Sequence, residues 1–300
     1  MLRFSASGGT ESRSFPHRSS VLLFFMFLAV SYLGLSVHAA RVRLRSAVDG
    51  FAGALVVPVA LLAGALAYAL TTGLPIEPRA GPYTAYLLIP AVLLIAGRRS
   101  TRPSPRRVLA TATALWLPLE FHLLPSLPLP PPNGSDAIRL VGIVEAFYLF
   151  LVMRPIGEIG YTFLLDQRDC LSAGIAFAGY ALVALPLGLV SGFLTWHPRL
   201  DAASVLLTPA VIYLTTAVPE EFLFRGLIQN VFARIADPRA ALPVASVVFG
   251  LAHLPDFRYV ALATLAGVAY GWVYARTGKI TASALTHAAV DWIWLLLLRR

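Results

Sequence analysis

The 300-residue sequence predicts an all-α protein, a polytopic transmembrane helical bundle of about 8–10 spans. Three observations carry this expectation. Charged residues make up 13% of the chain and hydrophobic ones 58%, whereas a soluble domain carries about 25% charged residues. Apolar runs of about 20 residues recur along the chain, the length a helix needs to cross a bilayer. The net charge of +9 is almost all arginine, Lys279 being the one lysine. These arginines lie between the apolar runs rather than in one patch. That is the pattern of loops held against an anionic cytoplasmic leaflet, and it argues against nucleic acid as a partner. The single cysteine, Cys170, excludes an intrachain disulfide and a cysteine metal cluster.

Residues 1–20 are polar, carry Arg3, Arg13 and Arg18, and read as a disordered lead. The first apolar run, 21–39, is long for a signal sequence and is expected as a retained helix. Arg41, Arg43 and Arg45 form the loop after it. Further spans are expected at about 51–73, 83–97, 107–124 and 139–153. The 98–107 connector, with Arg98, Arg99, Arg102, Arg106 and Arg107, is placed in the cytoplasm, and the proline-rich 125–132 stretch outside. The mixed segment 154–170 reads as a linker. It divides an N-terminal membrane region, 1–165, from a second unit, 166–300. Spans at about 171–195, 203–235, 241–254, 259–275 and 281–298 follow, with a kink in the long one at Pro219. Alternating spans put Arg234, Arg239, Arg276 and Lys279 inside, but both chain termini outside, against the positive-inside rule.

Ionisable groups within membrane spans are expensive and default to a functional role. The second unit contains Glu220, Glu221 and Arg225 in one run, His253 in another, and His287 and Asp291 in a third. Residues four apart share a helix face. Arg225 should therefore pair with Glu221 and leave Glu220 free. A carboxylate with no cationic partner, buried away from water, suits a general base. Phe249 lies four residues before His253 and would form an apolar wall beside it. Helix rise places Glu220, His253, His287 and Asp291 at depths of roughly 20, 18, 10 and 16 Å, within one slab of the membrane. Glu120, His122 and Glu145 in the first half read as interfacial or structural residues outside the site.

The motifs Glu220-Glu221-x-x-x-Arg225, Phe249-x-x-x-His253 and His287-x-x-x-Asp291, each on its own apolar segment, resemble the CPBP (CAAX protease and bacteriocin-processing) family of intramembrane proteases. That family is related to the type II CAAX prenyl endopeptidase. The Gly271–Gly278 stretch is similar to the family's segment before the last motif, and the resemblance covers about 171–298. It implies a multi-pass cell-membrane glutamate protease that cuts near the tail of a membrane-anchored protein or peptide, reached from the cytoplasmic side. By that resemblance Glu220 activates water and His253 helps position it, while His287 and Asp291 stabilise the oxyanion. Many members carry asparagine at the last position, so Asp291 could instead orient His287. No cofactor is expected. A zinc-dependent alternative would use Glu220, His253 and His287 as ligands. A transporter, or an immunity-type scaffold, is the non-enzymatic alternative for the same buried carboxylates.

Overall fold

Aspartate, scarce in this chain, is spent largely on starting helices. Asp49, Asp136, Asp166, Asp201, Asp237 and Asp256 each stand at an N-cap and accept a backbone N–H of the first turn, which satisfies donors the helix itself leaves unpaired. The structure, a computed structural model, describes residues 18–96, 103–128, 136–157 and 159–299. The expected features at 1–17, at Arg98, Arg99 and Arg102, at 129–134, at Glu158 and at Arg300 lie outside those residues.

The helices run in chain order. They are α1 Arg18–Gly34, α2 His38–Ala47, α3 Gly50–Thr71, α4 Glu77–Ile95 and α5 Pro105–Glu120, then α6 Ala137–Phe147, prolonged by a π turn over Tyr148–Met153. Next come α7 Gln167–Val190, α8 Ala202–Leu206, α9 Thr208–Ile212, α10 Val218–Glu221 and α11 Asn230–Ile235, and finally α12 Pro238–Leu251, α13 Phe257–Thr277 and α14 Ile280–Leu297. Helix makes up 79% of the structure. The only paired strands among the described residues are β1 Thr195–Trp196 and β2 Leu298–Arg299, a two-residue antiparallel ladder. The protein is thus the all-α membrane bundle that composition predicts.

Each expected span coincides with a helix or a run of helices. On length and apolarity alone, α3, α7 and α14 could cross a membrane, and α1 with α2 adds a fourth if their 111° bend lies within one span. The helices at the other expected spans do not meet that measure among the described residues, being shorter or diluted by polar residues and interior prolines such as Pro82, Pro90 and Pro118, so three or four crossings are supported rather than 8–10. One local expectation differs. Arg41, Arg43 and Arg45 are not in a loop but on α2. Arg41 and Arg45 donate from it to the Tyr161 and Val152 carbonyls. The first helix is packed in, with Phe24, Leu28 and Tyr32 buried.

Connectors alternate between two ends of the bundle. At one end Arg234 donates to the Pro103 carbonyl, Arg168 to the Arg276 carbonyl, and Lys279 to Asp169 at 2.6 Å. At the other, Tyr68 and Tyr83 donate to the Pro128 and Pro125 carbonyls, and Arg258 to the Ser191 carbonyl. Asp166 at the start of α7 is held below its ordinary pKa, first by the Asp169 backbone N–H it accepts. Gly278 closes α13 in the left-handed conformation at φ 69°. Gly160, at φ 69°, lies so close to the Gly278 carbonyl that a Cβ there would collide with backbone, so the chain at Gly160 lies tight against the α13–α14 turn. One buried apolar cluster contains Phe147, Phe150 and Tyr161 together with Val218, Phe222 and Ile280, and so runs across both halves of the chain.

Candidate active site

Glu220 and Glu221 lie on the single turn α10, between π-helical turns over Tyr213–Ala217 and Phe222–Gln229. Pro219 has no N–H to return to the preceding turn. The chain does not break there as the sequence suggests. Val218 and Phe222 keep helical torsions near −62°/−46° and −61°/−47°, and wider hydrogen-bond spacing on either side absorbs the missing donor. Such π segments favour functional sites because they re-aim side chains within an otherwise continuous helix.

Glu221 is fully buried and fully engaged. Its Oε2 accepts from Arg225 Nε at 2.9 Å and from Ser283 Oγ at 2.6 Å, and its Oε1 lies 3.0 Å from His287 Nδ1. The Glu221–Arg225 pair is the one spacing predicts. The guanidinium is also fully buried, and its Nη1 and Nη2 make no hydrogen bond among the described residues. It lies instead over the rings of Phe249 at 5.4 Å and Tyr270 at 5.9 Å, where the aromatic faces attract the cation.

Glu220 points the other way. Its side chain is 39% exposed, and the space it faces is a cavity of about 440 Å³ walled by α4, α5 and α6 of the first half and by the 215–227 stretch. A second cavity of about 260 Å³ continues from Glu220 past His287 and Asp291 toward Trp294. Glu220 Oε2 is 3.7 Å from His287 Nε2, and Asp291 Oδ2 is 3.5 Å from the same nitrogen, at or beyond the limit of a hydrogen bond. His287 is therefore fixed at Nδ1 by Glu221, while Nε2 faces two further carboxylates. The orienting contact the sequence offers to Asp291 is made by Glu221. Tyr270 stacks on the His287 ring at 4.6 Å and 15°, and Phe249 meets its edge at 5.6 Å.

His253 follows the last turn of α12. Its Nδ1 lies 2.8 Å from the Phe249 carbonyl. A carbonyl only accepts, so Nδ1 carries the proton and Nε2 of the neutral ring is an acceptor. The ring is held by Phe249 at 5.0 Å and Tyr259 at 4.4 Å, and it lines both cavities beside Glu220. Phe249 is thus the wall that its spacing suggests, and it reaches His287 as well.

Glu220, His253, His287 and Asp291 come together around one space. Among the described residues, no three His, Cys, Asp or Glu side chains are arranged to hold a metal ion. Four residues of the surroundings escape the sequence reading. Ser283 carries a usable signal, since Ser283, His287 and Asp291 recur every four residues on one face of α14. Tyr270 offers none beyond its place on an apolar helix. Glu120, set aside as interfacial, lines the larger cavity with Glu220 and His253, as does Arg139. Glu145 is buried with no hydrogen-bond partner among the described residues and is not part of that wall.

No curated protein and no solved structure gives a significant match to the chain. One protein family does, over residues 201–293, the stretch from α8 into α14 that carries all three motifs. Over that segment the chain is similar to the family described as type II CAAX prenyl endopeptidase Rce1-like.

Proposed function

We propose that this membrane protein is an endopeptidase that hydrolyses a peptide bond near the tail of a membrane-anchored protein or peptide, with Glu220 as the base that activates water. The observation that carries the proposal is the division of labour between the adjacent acids. Glu221 has both oxygens committed to close partners, whereas Glu220 faces the cavity, with His287 Nε2 standing off at 3.7 Å. The family over 201–293 is a protease family, which supports hydrolysis over transport or a scaffold role.

In this mechanism Glu220 takes a proton from water as the oxygen attacks the scissile carbonyl carbon. His253, anchored through Nδ1, offers Nε2 as a second acceptor that positions the water. The carbonyl becomes a tetrahedral oxyanion beside His287 Nε2. Because Nδ1–H is committed to Glu221, His287 donates from Nε2 as the imidazolium, with Asp291 alongside it. Glu220 then returns its proton to the amine as the C–N bond breaks, leaving a new carboxylate and a free amine. The first half contributes walls: Tyr86, Trp116 and Ile143 of α4, α5 and α6 face the cavity, and residues 1–165 serve in this reading to shape the substrate's path.

The test is cleavage of an acyl-anchored tail peptide by purified protein. Glu220→Gln is expected to lower kcat by about 10²-fold or more, the scale of a lost general base. An unchanged rate overturns the assignment. A chelator arm separates the metal-free reaction, which continues, from a zinc-dependent one, which stops and returns on zinc addition.

A further inference from the structure

The chain turns by 111° between α1 and α2. α1 is apolar from Val21 onward, whereas the ten residues of α2 include His38, Arg41, Arg43 and Arg45, and none of the ten is buried. A helix so charged is unfavourable in the hydrocarbon core. α2 therefore lies across the end of the bundle, at the level of the lipid headgroups.

One face of α2 walls a cavity. His38, Arg41, Val42 and Arg45 follow the three- and four-residue spacing of a single helix face and line a space of about 310 Å³, within the range of small-ligand sites, about 300–1,000 Å³. The facing wall is Leu151 and the 155–162 stretch. His38, Val42 and Arg45 are exposed, so the cavity reaches the surface. No acidic side chain lines it among the described residues. Glu158, the one acid between Arg154 and Leu165, is outside those residues, and Arg41 and Arg45 outnumber it. Arg41 donates to the Leu35 and Tyr161 carbonyls at 2.8 and 3.2 Å, and Arg45 donates through Nε to the Val152 carbonyl at 2.9 Å. That neutral carbonyl orients the Arg45 guanidinium by one nitrogen and leaves its charge uncancelled.

We propose that this cavity binds a phosphate-bearing anion, supplied by the headgroup of an anionic membrane phospholipid. The phosphodiester sits between Arg45 and His38, where a planar guanidinium suits phosphate oxygens. Val42, Leu151 and Ile159 on the same walls take the apolar part of the lipid. That mixed lining, at headgroup level, favours a lipid over a soluble phosphate. The occupant braces more than α2. A Cβ on Gly226, the residue after Arg225, would stand 2.7 Å from Ile159 Cγ2. The Thr162 carbonyl accepts from Thr281 of α14, and Tyr161 donates to the Tyr32 carbonyl at 2.7 Å. A headgroup bridging α2 to the 155–162 stretch thus ties the α1–α2 corner to the segment that backs the helix of the two acids. None of Glu220, His253, His287 and Asp291 lines this cavity, so the inference is independent of the protease reading.

The test is binding of a chain-labelled phosphatidylglycerol to the full-length protein in neutral detergent, with thermal unfolding measured in parallel. Wild type is expected to bind and to gain Tm, while phosphatidylcholine, whose choline cancels the phosphate charge, gives neither. Arg45→Gln is expected to weaken binding about fivefold, the scale of one basic side chain at an anionic surface. Arg43→Gln, on the same helix but outside the cavity, is expected to leave it unchanged. Equal losses in the two variants would mean diffuse attraction to α2 and overturn the pocket. Val42→Trp keeps every charge and fills the cavity, so it is expected to weaken binding at least tenfold, and it serves should Arg45→Gln fail to fold. Wild-type affinity in Val42→Trp also overturns the proposal. Inorganic phosphate and glycerol phosphate form the last arm. An equal gain in Tm from either overturns the lipid as the source of the anion.

Discussion

Glu221 and Glu220 are neighbours in the chain and opposites in chemistry, and the difference lies in what each touches. Removing the charge of Glu221 strands Arg225 in the apolar interior, with only two aromatic faces for company. Glu221→Gln is therefore expected to destabilise the protein by about 3–5 kcal/mol, the cost of a buried ion pair broken on one side. Ser283→Ala removes one hydrogen bond to the same carboxylate and should cost about 1 kcal/mol. Thermal unfolding in detergent measures both. Equal losses would mean that the arginine does not depend on Glu221. The Glu221–Arg225 contact was legible because it is local: four residues on one helix set the geometry. The contact between Glu221 and His287 was not, because it joins residues 66 apart in sequence and only the packing of α10 against α14 creates it. Glu120 was illegible for the same reason, with the added disadvantage that it stands in a half of the chain without a motif.

At the scale of elements, the site depends on how closely α12 and α13 approach. Gly267 and Gly271 are four apart on α13, a spacing that lets membrane helices meet backbone to backbone. A methyl group at Gly267 would stand 2.9 Å from Ser246 Cα, and one at Gly271 would stand 3.0 Å from Leu242 Cγ. From the other side, a Cβ on Gly250 would run into the Thr264 side chain and lie 2.8 Å from the Val260 carbonyl oxygen. Gly250 lies one residue after Phe249 and three before His253. Gly250→Val should therefore push α12 off α13 and carry both site residues with it. The expectation is an overpacking cost of about 1–3 kcal/mol together with a loss of cleavage larger than the stability loss explains. A variant that unfolds more easily but cleaves normally would show that the approach of these helices does not set the site. The sequence pattern located these helices well, because apolar length is a local signal. At Pro219 it expected an interruption, whereas helical residues run on through π turns on either side.

At the scale of the molecule, the two-part division at 165/166 and the family match over 201–293 both suggest a protease core with an appendage, but burial joins the parts. Phe147 packs on Phe222 at 4.5 Å, Trp116 on Phe224 at 6.2 Å, and the Tyr32 hydroxyl donates to the Leu214 carbonyl at 2.7 Å. Residues 166–300 expressed alone are expected to lose cleavage and to aggregate, with recovery when 1–165 is supplied as a separate chain. Gel filtration and the peptide assay read the result, and an active isolated second half would show that the first is dispensable. The charged pair inside the bundle bears on how such a chain is made. A lone arginine or aspartate at a helix centre costs about 2.5–3.5 kcal/mol at the insertion step. Glu221 and Arg225 lie one turn apart on the same segment and contact each other at 2.9 Å, so they can leave the translocation machinery as a neutral dipole. Their segment need not wait for α14, which is synthesised later, to enter the lipid. The strut that holds His287 in the finished protein is in this sense a passenger that carries its own counter-ion into the bilayer.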